Sequence, residues 1–298
     1  MRRHIDFMGH KWIFFGLSAV LIVISIASLA IRGLNLGIEF EGGTVVNFTA
    51  TKDVTIGQMR KAFTDAGILD PGVQSVQGGG FIVRFAESNP TKANVAYQQV
   101  IKALSLPTDA GDVTTIGPGW GKLVTSRSLL AAALAIAAIL LYISLRYDYK
   151  MSLTAVLALV HDGVIVLGIY SLFGFEVTPN TIAALLTILG YSLYDTIVVF
   201  HRIKENSQHI SKQTFSQMAN DSINQVLVRS INTSLTALIP VIMLLIFGGS
   251  TLQDFAFALT IGLISGAYSS IGVAAIIYSM WRETEPRFQA LKKKYAAA

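Results

Sequence analysis

Six long apolar segments divide this chain of 298 residues. They lie at Trp12–Ile31, Ser128–Leu145, Ser152–Phe173, Thr181–Arg202, Ser230–Phe247 and Asp254–Met280. Each approaches or exceeds the roughly 20 residues that an α-helix needs to cross about 30 Å of hydrocarbon. Because backbone polar groups inside a bilayer must be satisfied within the protein, helices are the expected structure. The sequence therefore predicts a polytopic α-helical membrane protein with six transmembrane helices.

The composition also indicates a membrane protein. Hydrophobic residues make up 52% of the chain and charged residues only 14%, whereas soluble domains contain about 25% charged residues. The absence of cysteine excludes disulfides, zinc sites with cysteine ligands and thiol catalysis. The net charge of +5 does not indicate a nucleic-acid partner, because the lysines and arginines flank the apolar segments.

Basic residues predict how the helices are oriented. They occur before the first span, between spans two and three, after span four and after span six, whereas loops 174–180 and 248–251 contain none. Since basic loops favour the cytoplasm, we expect residues 1–11 and 281–298 to be cytoplasmic and residues 32–127 to be extracytoplasmic. An alternative is that the first span is a cleaved signal peptide, which would leave five spans.

The long segment at 32–127 follows helix 1 at 12–31 and precedes helices 2–6, which occupy 128–280. Strand-like and helical patterns alternate there as β-α-β-β-α-β over 43–119. This order predicts an extracytoplasmic, periplasmic ferredoxin-like α+β domain (βαββαβ) between helices 1 and 2.

The outer domain shows no catalytic pattern. It contains no histidine, and its glycine-rich stretch Gly117–Leu123 lacks the spacing of a phosphate-binding loop. The stretch is instead expected to link the domain to the second span. The domain therefore reads as a binding or coupling module.

Asp195 lies inside the fourth apolar segment. An aspartate at the bilayer centre costs about 2.5–3.5 kcal/mol, so it is expected to have partners or a proton. Tyr191 lies one turn earlier on the same face. In span five, Arg229 and Thr233 begin a polar stripe at helical spacing. If spans four and five pack antiparallel, Arg229 and Asp195 share one interface.

Span three adds His161 and Asp162 near its middle. Adjacent residues are expected to lie on different faces of a helix, and no nucleophile accompanies them, which argues against an intramembrane hydrolase. Ionisable groups on three spans are typical of ion or proton pathways. A carboxylate that is charged beside an arginine and neutral away from it can act as a proton switch. Alternatively, Asp195 is a structural hydrogen-bond partner, Arg229 an interfacial anchor and the threonines helix-packing residues.

Four segments together resemble the SecD/SecF family of protein-export membrane proteins, within the resistance-nodulation-division superfamily. They are Asn35–Thr44, Val160–Gly163, Gly190–Asn206 and Arg229–Leu235, and the resemblance covers essentially the whole chain. It implies roles in proton flow for Asp195 and Arg229. It also places a motif at the junction between membrane and outer domain, formed by Gly37, Glu39, Phe40, Gly42 and Gly43.

The residues considered for a proton pathway are Asp195, Arg229, Tyr191, Asp162, His161 and Thr233. Three positions depart from the family pattern. Tyr194 replaces a frequent asparagine, His201 replaces a frequent acid, and Glu39 replaces the usual aspartate. They leave open the detailed proton relay and any role for His201. The sequence as a whole leaves open the choice between H⁺ and Na⁺.

The resemblance implies an auxiliary subunit of the Sec protein translocase in the bacterial cytoplasmic (inner) membrane, with no enzymatic activity, cofactor or metal. Its implied partners are SecD, the SecYEG translocon with SecA, translocating preproteins and membrane lipid, with YajC and YidC as further candidates. With SecD it would use the proton-motive force to drive preprotein export. The alternatives are a non-translocating membrane scaffold whose polar cluster is structural, and a small-molecule exporter of the same superfamily.

Overall fold

The computed structural model describes residues 4–49, 54–76 and 79–295. Residues 1–3 of the predicted cytoplasmic N-terminus, 50–53 and 77–78 of the outer domain and 296–298 of the basic tail lie outside the described residues.

The chain consists of long helices and one small α/β domain, which is inserted between the first and the second of these helices. In order, its elements are α1 (Lys11–Arg32), β1 (Asn35–Leu36), α2 (Ile38–Glu41), β2 (Gly43–Phe48), α3 (Ile56–Asp65), β3 (Gly72–Val76), β4 (Gly80–Phe85), α4 (Pro90–Ala103), β5 (Gly111–Ile116), α5 (Pro118–Arg146), α6 (Tyr149–Phe173), β6 (Glu176–Val177), α7 (Pro179–Gln208), α8 (Phe215–Phe247), α9 (Gly249–Ser269), a π-helical turn (Ser270–Ala275), α10 (Ile276–Glu283) and α11 (Pro286–Tyr295).

The predicted transmembrane helices are confirmed. Among the described residues, six helical stretches are long and apolar enough to cross a membrane: α1, α5, α6, α7, α8 and the continuous run from α9 to α10. All six helices begin before their predicted apolar segments, and two of them, α5 and α8, begin several turns earlier. The helix α5 starts at Pro118, so the stretch predicted to be a linker forms its first turns, because proline fits the first helical position. The helix α8 starts after Thr214, whose side chain forms a capping box with Gln217.

The predicted ferredoxin-like domain is also confirmed. Its antiparallel sheet has the order β3-β4-β2-β5, and α3 and α4 pack together beside it. The side chains of Met59, Phe63, Tyr97 and Val100 are fully or almost fully buried in its core. The domain therefore has a hydrophobic core separate from the core of the helical bundle.

The helices α6, α7 and α9 form the centre of the bundle, while α5 and α8 leave most of their length exposed. Glycines set the closest contacts. Gly168 on α6 lies against Ser25 on α1, and Gly262 and Gly266 on α9 lie against Ile188 and Ser192 on α7. A Cβ atom at any of these glycines would overlap its neighbour. Small residues thus bring α7 and α9 together beside Asp195.

A short strand pair connects the outer domain to the helical bundle, and the sequence did not predict it. Strand β1 follows α1, strand β6 follows α6, and the two form a parallel pair in which Asn35 is opposite Glu176. Two-residue strands give no periodic signal, so the sequence could not reveal them. The pair fastens the start of the outer segment to the loop between α6 and α7.

Candidate functional site

Asp195 is buried on α7 at the contact with α8. Ser234 on α8 donates a hydrogen bond from its hydroxyl to Asp195 Oδ2 at 3.1 Å. Beside the carboxylate is a cavity of about 10 Å³, lined in part by Tyr191 and Thr233, which is about the space of one water molecule. The structure thus brings together three residues predicted for the site. Ser234 was missed because it lies off the polar stripe that begins at Arg229.

Arg229 lies on the same α7–α8 interface but does not contact Asp195 directly. Its guanidinium donates to the Tyr194 hydroxyl at 3.3 Å, and it forms no ion pair with the described residues. Arg229 and Tyr194 line an open groove of about 520 Å³, together with His201. The predicted shared interface is therefore present. Asp195 borders the small cavity, and Arg229 borders the adjoining groove.

Asp162 has a different environment from Asp195. It is fully buried on α6 and accepts hydrogen bonds from Ser192 at 2.7 Å, Ser265 at 2.6 Å and Ser269 at 2.8 Å. Its Oδ1 atom also lies 3.1 Å from Nδ1 of His161. Since an ionised carboxylate has about four acceptor positions, Asp162 is fully satisfied, whereas Asp195 has one hydrogen-bond partner among the described residues.

His161 and Asp162 reach different neighbouring helices, as expected for adjacent residues, but their side chains also contact each other. Neighbouring side chains diverge by about 100° around a helix, yet Nδ1 of His161 reaches Oδ1 of Asp162. His161 also lies 3.2 Å from the Ser18 hydroxyl through Nε2. The pair therefore joins α1 and α6 to the Asp162 network.

Ser192 connects the surroundings of the two aspartates. It lines the cavity beside Asp195 and donates to Asp162. One helical turn later, Thr196 hydrogen-bonds at 2.9 Å to Ser270, the first residue of the π-helical turn. Such turns occur frequently at functional sites. Small hydroxyl groups therefore link α7 to both α6 and the α9–α10 helix at the depth of Asp195.

The junction motif forms the base of the outer domain. The Gly37 amide donates to the Val177 carbonyl at 2.9 Å, Phe40 packs its backbone against Gly121 on α5, and Glu39 faces the loop after α6. Gly42 and Gly43 have φ angles of +80° and +129°, which favour glycine. The motif thus contacts the sheet, α5 and the membrane loop at once.

A second charged cluster lies at this junction. Arg84 on β4 forms an ion pair with Glu176 on β6, and Glu39 and Asp254 line the same cavity of about 290 Å³. The Oε2 atom of Glu39 is buried without a hydrogen-bond partner among the described residues. The sequence did not reveal this cluster, because its residues come from four separate parts of the chain.

Burial raises the pKa of Glu176 to about 7, since the loss of hydration outweighs the attraction of Arg84, and the charges of Glu39 and Asp254 raise it further. An undocked Glu176 would have an ordinary pKa near 4.5. Between these values the docked form binds more protons. Docking of the outer domain is therefore strongest below about pH 4.5 and weakens as the pH rises through about 7.

This pH dependence can be measured by electron paramagnetic resonance. Spin labels at Val95→Cys and Phe173→Cys, two exposed positions, report the distance from the outer domain to the end of α6. Raising the pH from about 5.5 to about 8.5 is expected to broaden this distance distribution. Glu176→Gln, which cannot ionise, should keep the narrow distribution at both values. An equal broadening in Glu176→Gln would contradict the assignment to Glu176.

Within the described residues, no cluster of three or more histidines or acids has the arrangement of a metal site. The arrangement instead offers a buried carboxylate with room for one water, an arginine in the adjoining groove that has no ion pair with the described residues, and a charged contact to the outer domain.

Comparisons with known proteins identify the family. Residues 96–284 match the model described as "Protein export membrane protein SecD/SecF, C-terminal". The chain belongs to the SecD/SecF family. Residues 27–54 also match the SecD/SecF GG motif, a region that contains Gly37 to Gly43.

SecD/SecF relatives align along most of the chain. A protein translocase subunit SecF from Streptomyces coelicolor is 37% identical, covering 98% of this chain and 80% of the relative. One from Pseudomonas aeruginosa is 36% identical, covering 92% of this chain and 90% of the relative. These similarities confirm the resemblance noted from the sequence.

Solved structures from the family have the same fold. The crystal structure of SecDF, a translocon-associated membrane protein from Thermus, aligns with a TM-score of 0.87 and 33% identity over 94% of this chain. The crystal structure of SecDF in the super-membrane-facing form aligns with a TM-score of 0.71 and 30% identity over 100% of this chain. The chain spans only 39% and 41% of those two longer chains.

Proposed function

We propose that this chain is an auxiliary, non-enzymatic subunit of the Sec protein translocase, which works with SecD and uses the proton-motive force to drive preprotein export. Relatives named as SecF translocase subunits support the translocase role. This chain matches less than half of the length of the SecDF chains, which supports SecD as the component that works with it. The exposed lengths of α5 and α8 offer surface for that partner or for lipid.

The observation that carries the mechanism is the environment of Asp195. It is a buried acid between two helices, with one hydrogen-bond donor in the part of the chain that the structure describes and a cavity the size of one water molecule. Arg229, which lacks an acidic partner among the described residues, lies in the next compartment. An ionised Asp195 would attract this arginine, and protonation would remove the attraction. Asp195 therefore acts as the switch, and its proton sets the separation between α7 and α8.

Movement of α7 would reach the outer domain through the junction motif. The loop before α7 contains Glu176 and Val177, which bind Arg84 and Gly37 of the outer segment. A proton that crosses 100 mV supplies about 2.3 kcal/mol, which biases a two-state equilibrium by roughly fifty-fold. This free energy suffices to change how the outer domain docks on the bundle. The coupling element is the junction motif, formed by Gly37, Glu39, Phe40, Gly42 and Gly43.

The proposed topology places both termini in the cytoplasm and the outer domain in the periplasm of a bacterial inner membrane. In this orientation the chain binds the SecYEG translocon with SecA and contacts the translocating preprotein. YajC and YidC are further partners. The basic tail, with Lys293 and Lys294 after α10, faces anionic lipid on the cytoplasmic side.

Inverted membrane vesicles that contain the full translocase test this function. Preprotein transport is measured with and without an imposed proton gradient, for the unmodified chain, Asp195→Asn and Arg229→Ala. Both variants are expected to assemble with SecD and to lose the stimulation by the gradient. Asp221→Asn, which changes a half-exposed acid on α8, is the matched control and should keep it. A full response to the gradient in Asp195→Asn would favour the scaffold function instead.

A further inference from the structure

Tyr194 lies between the cavity at Asp195 and the open groove at Arg229. Among the described residues, it is the one side chain that lines both spaces. The smaller space holds about one water molecule, and the larger one, of about 520 Å³, opens at the outer surface of the bundle. The side chain of Tyr194 therefore lies between the groove and the cavity beside Asp195.

The hydroxyl of Tyr194 holds the arginine on the groove side of this ring. It accepts the hydrogen bond from Arg229 Nη2 at 3.3 Å, and Arg229 has no competing ion pair with the described residues. Tyr194 is 48% exposed, so about half of its surface has no protein packed against it. Tyr194 thus contacts the cation with its polar end and borders the Asp195 cavity with its apolar body.

We propose that Tyr194 is a gate that separates Asp195 from the groove and keeps Arg229 away from the carboxylate. Rotation of the ring would join the two spaces and free Arg229 to approach Asp195. The inference rests on the proposed proton switch, because it assigns the step that exposes Asp195 to water at the end of the bundle where the chain termini lie.

The gate follows from charge as well as space. An ionised Asp195 attracts Arg229 more strongly than the neutral Tyr194 hydroxyl does, so loss of the proton favours breaking the Tyr194 contact. A protonated Asp195 exerts no such attraction, and Arg229 returns to the hydroxyl. Opening is thereby tied to the protonation of Asp195, which prevents a permanently open water path.

Accessibility of an introduced cysteine tests the gate. The chain has no cysteine, so Thr233→Cys places its single thiol in the Asp195 cavity. The full chain with its SecD partner in inverted vesicles is treated with a membrane-impermeant, cationic methanethiosulfonate reagent, and modification of this chain is followed by mass. In that background, Tyr194→Ala is expected to raise the modification rate roughly tenfold, the effect of lowering a barrier by about 1.4 kcal/mol.

Three controls make the result specific to Tyr194. Tyr191→Ala removes an equally exposed ring that lines only the smaller cavity and should leave the rate unchanged. Tyr194→Phe retains the ring but loses the hydroxyl that contacts Arg229, so it should raise the rate by less than Tyr194→Ala does. Val226→Cys, in the groove, should react at one rate whatever residue occupies position 194, which shows that the reagent reaches the groove.

The proposal is overturned if Tyr194→Ala leaves the rate at Thr233→Cys unchanged, or if Tyr191→Ala or Tyr194→Phe raises it equally. Should Tyr194→Ala fail to assemble with SecD, Tyr194→Val replaces it with the same expected increase. The assay needs no proton gradient. Its failure would therefore leave the Asp195→Asn transport test, and the proposed function, undisturbed.

Discussion

Asp162→Ala is expected to destabilise the helical bundle by on the order of 3 kcal/mol, because removing one member of a buried charged network leaves its partners unsatisfied. Ser192, Ser265 and Ser269 would lose their acceptor, and His161 would lose its contact to Nδ1. These partners come from α6, α7 and α9. The carboxylate thus ties the three central helices together, and its loss should loosen all of them.

The free energy of unfolding in detergent, measured by titration with a denaturing detergent, checks this prediction. Asp162→Asn keeps one acceptor oxygen and should be less destabilised than Asp162→Ala. Asp221→Ala, a half-exposed site, should behave like the unmodified chain. If Asp162→Ala were stable but had lost the response to the gradient in vesicles, Asp162 would be a proton carrier rather than a structural tie.

The contrast between the two aspartates shows how far the sequence alone leads. Both are acids in apolar segments, and the pattern predicts that each needs partners. Their partners depend on how neighbouring helices are rotated and paired. Ser265 and Ser269 form no pattern that stands out within their hydrophobic segment. The serine hydroxyls that hydrogen-bond to Asp162 could therefore not be predicted. The stripe at Arg229 was visible because its residues recur at helical spacing.

The same reasoning applies to the outer domain. Strand alternation, turns and helix caps predict its element order, because these signals are local. Its attachment to the membrane is not local. Arg84 and Glu176 are far apart in sequence and meet only when the sheet rests on the loop after α6. The sequence could place the Gly37–Gly43 motif at the boundary, but it could not predict the charged cluster beside it.

Gly43→Ala is expected to weaken the attachment of the outer domain by about 2 kcal/mol, since a side chain with a strongly positive φ is strained. Gly43 has a φ of +129°, and a Cβ atom there would lie 2.7 Å from the carbonyl oxygen of Phe85. That carbonyl belongs to the neighbouring strand β4, so it cannot move without disturbing the sheet. The strain falls at Gly43, which is both the last residue of the junction motif and the first residue of β2.

Hydrogen exchange in the full chain measures the effect. Amides of β2 and β5, which pair from Gly43 opposite Ile116 onward, should exchange faster in Gly43→Ala, while those of α6 and α7 remain protected. Gly57→Ala is the matched control: Gly57 lies within α3 and faces open space, so the change should stabilise the domain by roughly 0.5–1 kcal/mol. Transport in vesicles is measured for the same variant. If Gly43→Ala exchanges faster in β2 and also loses the response to the proton gradient, the junction transmits movement. A normal response would show that a strained junction still couples the outer domain to the helical bundle.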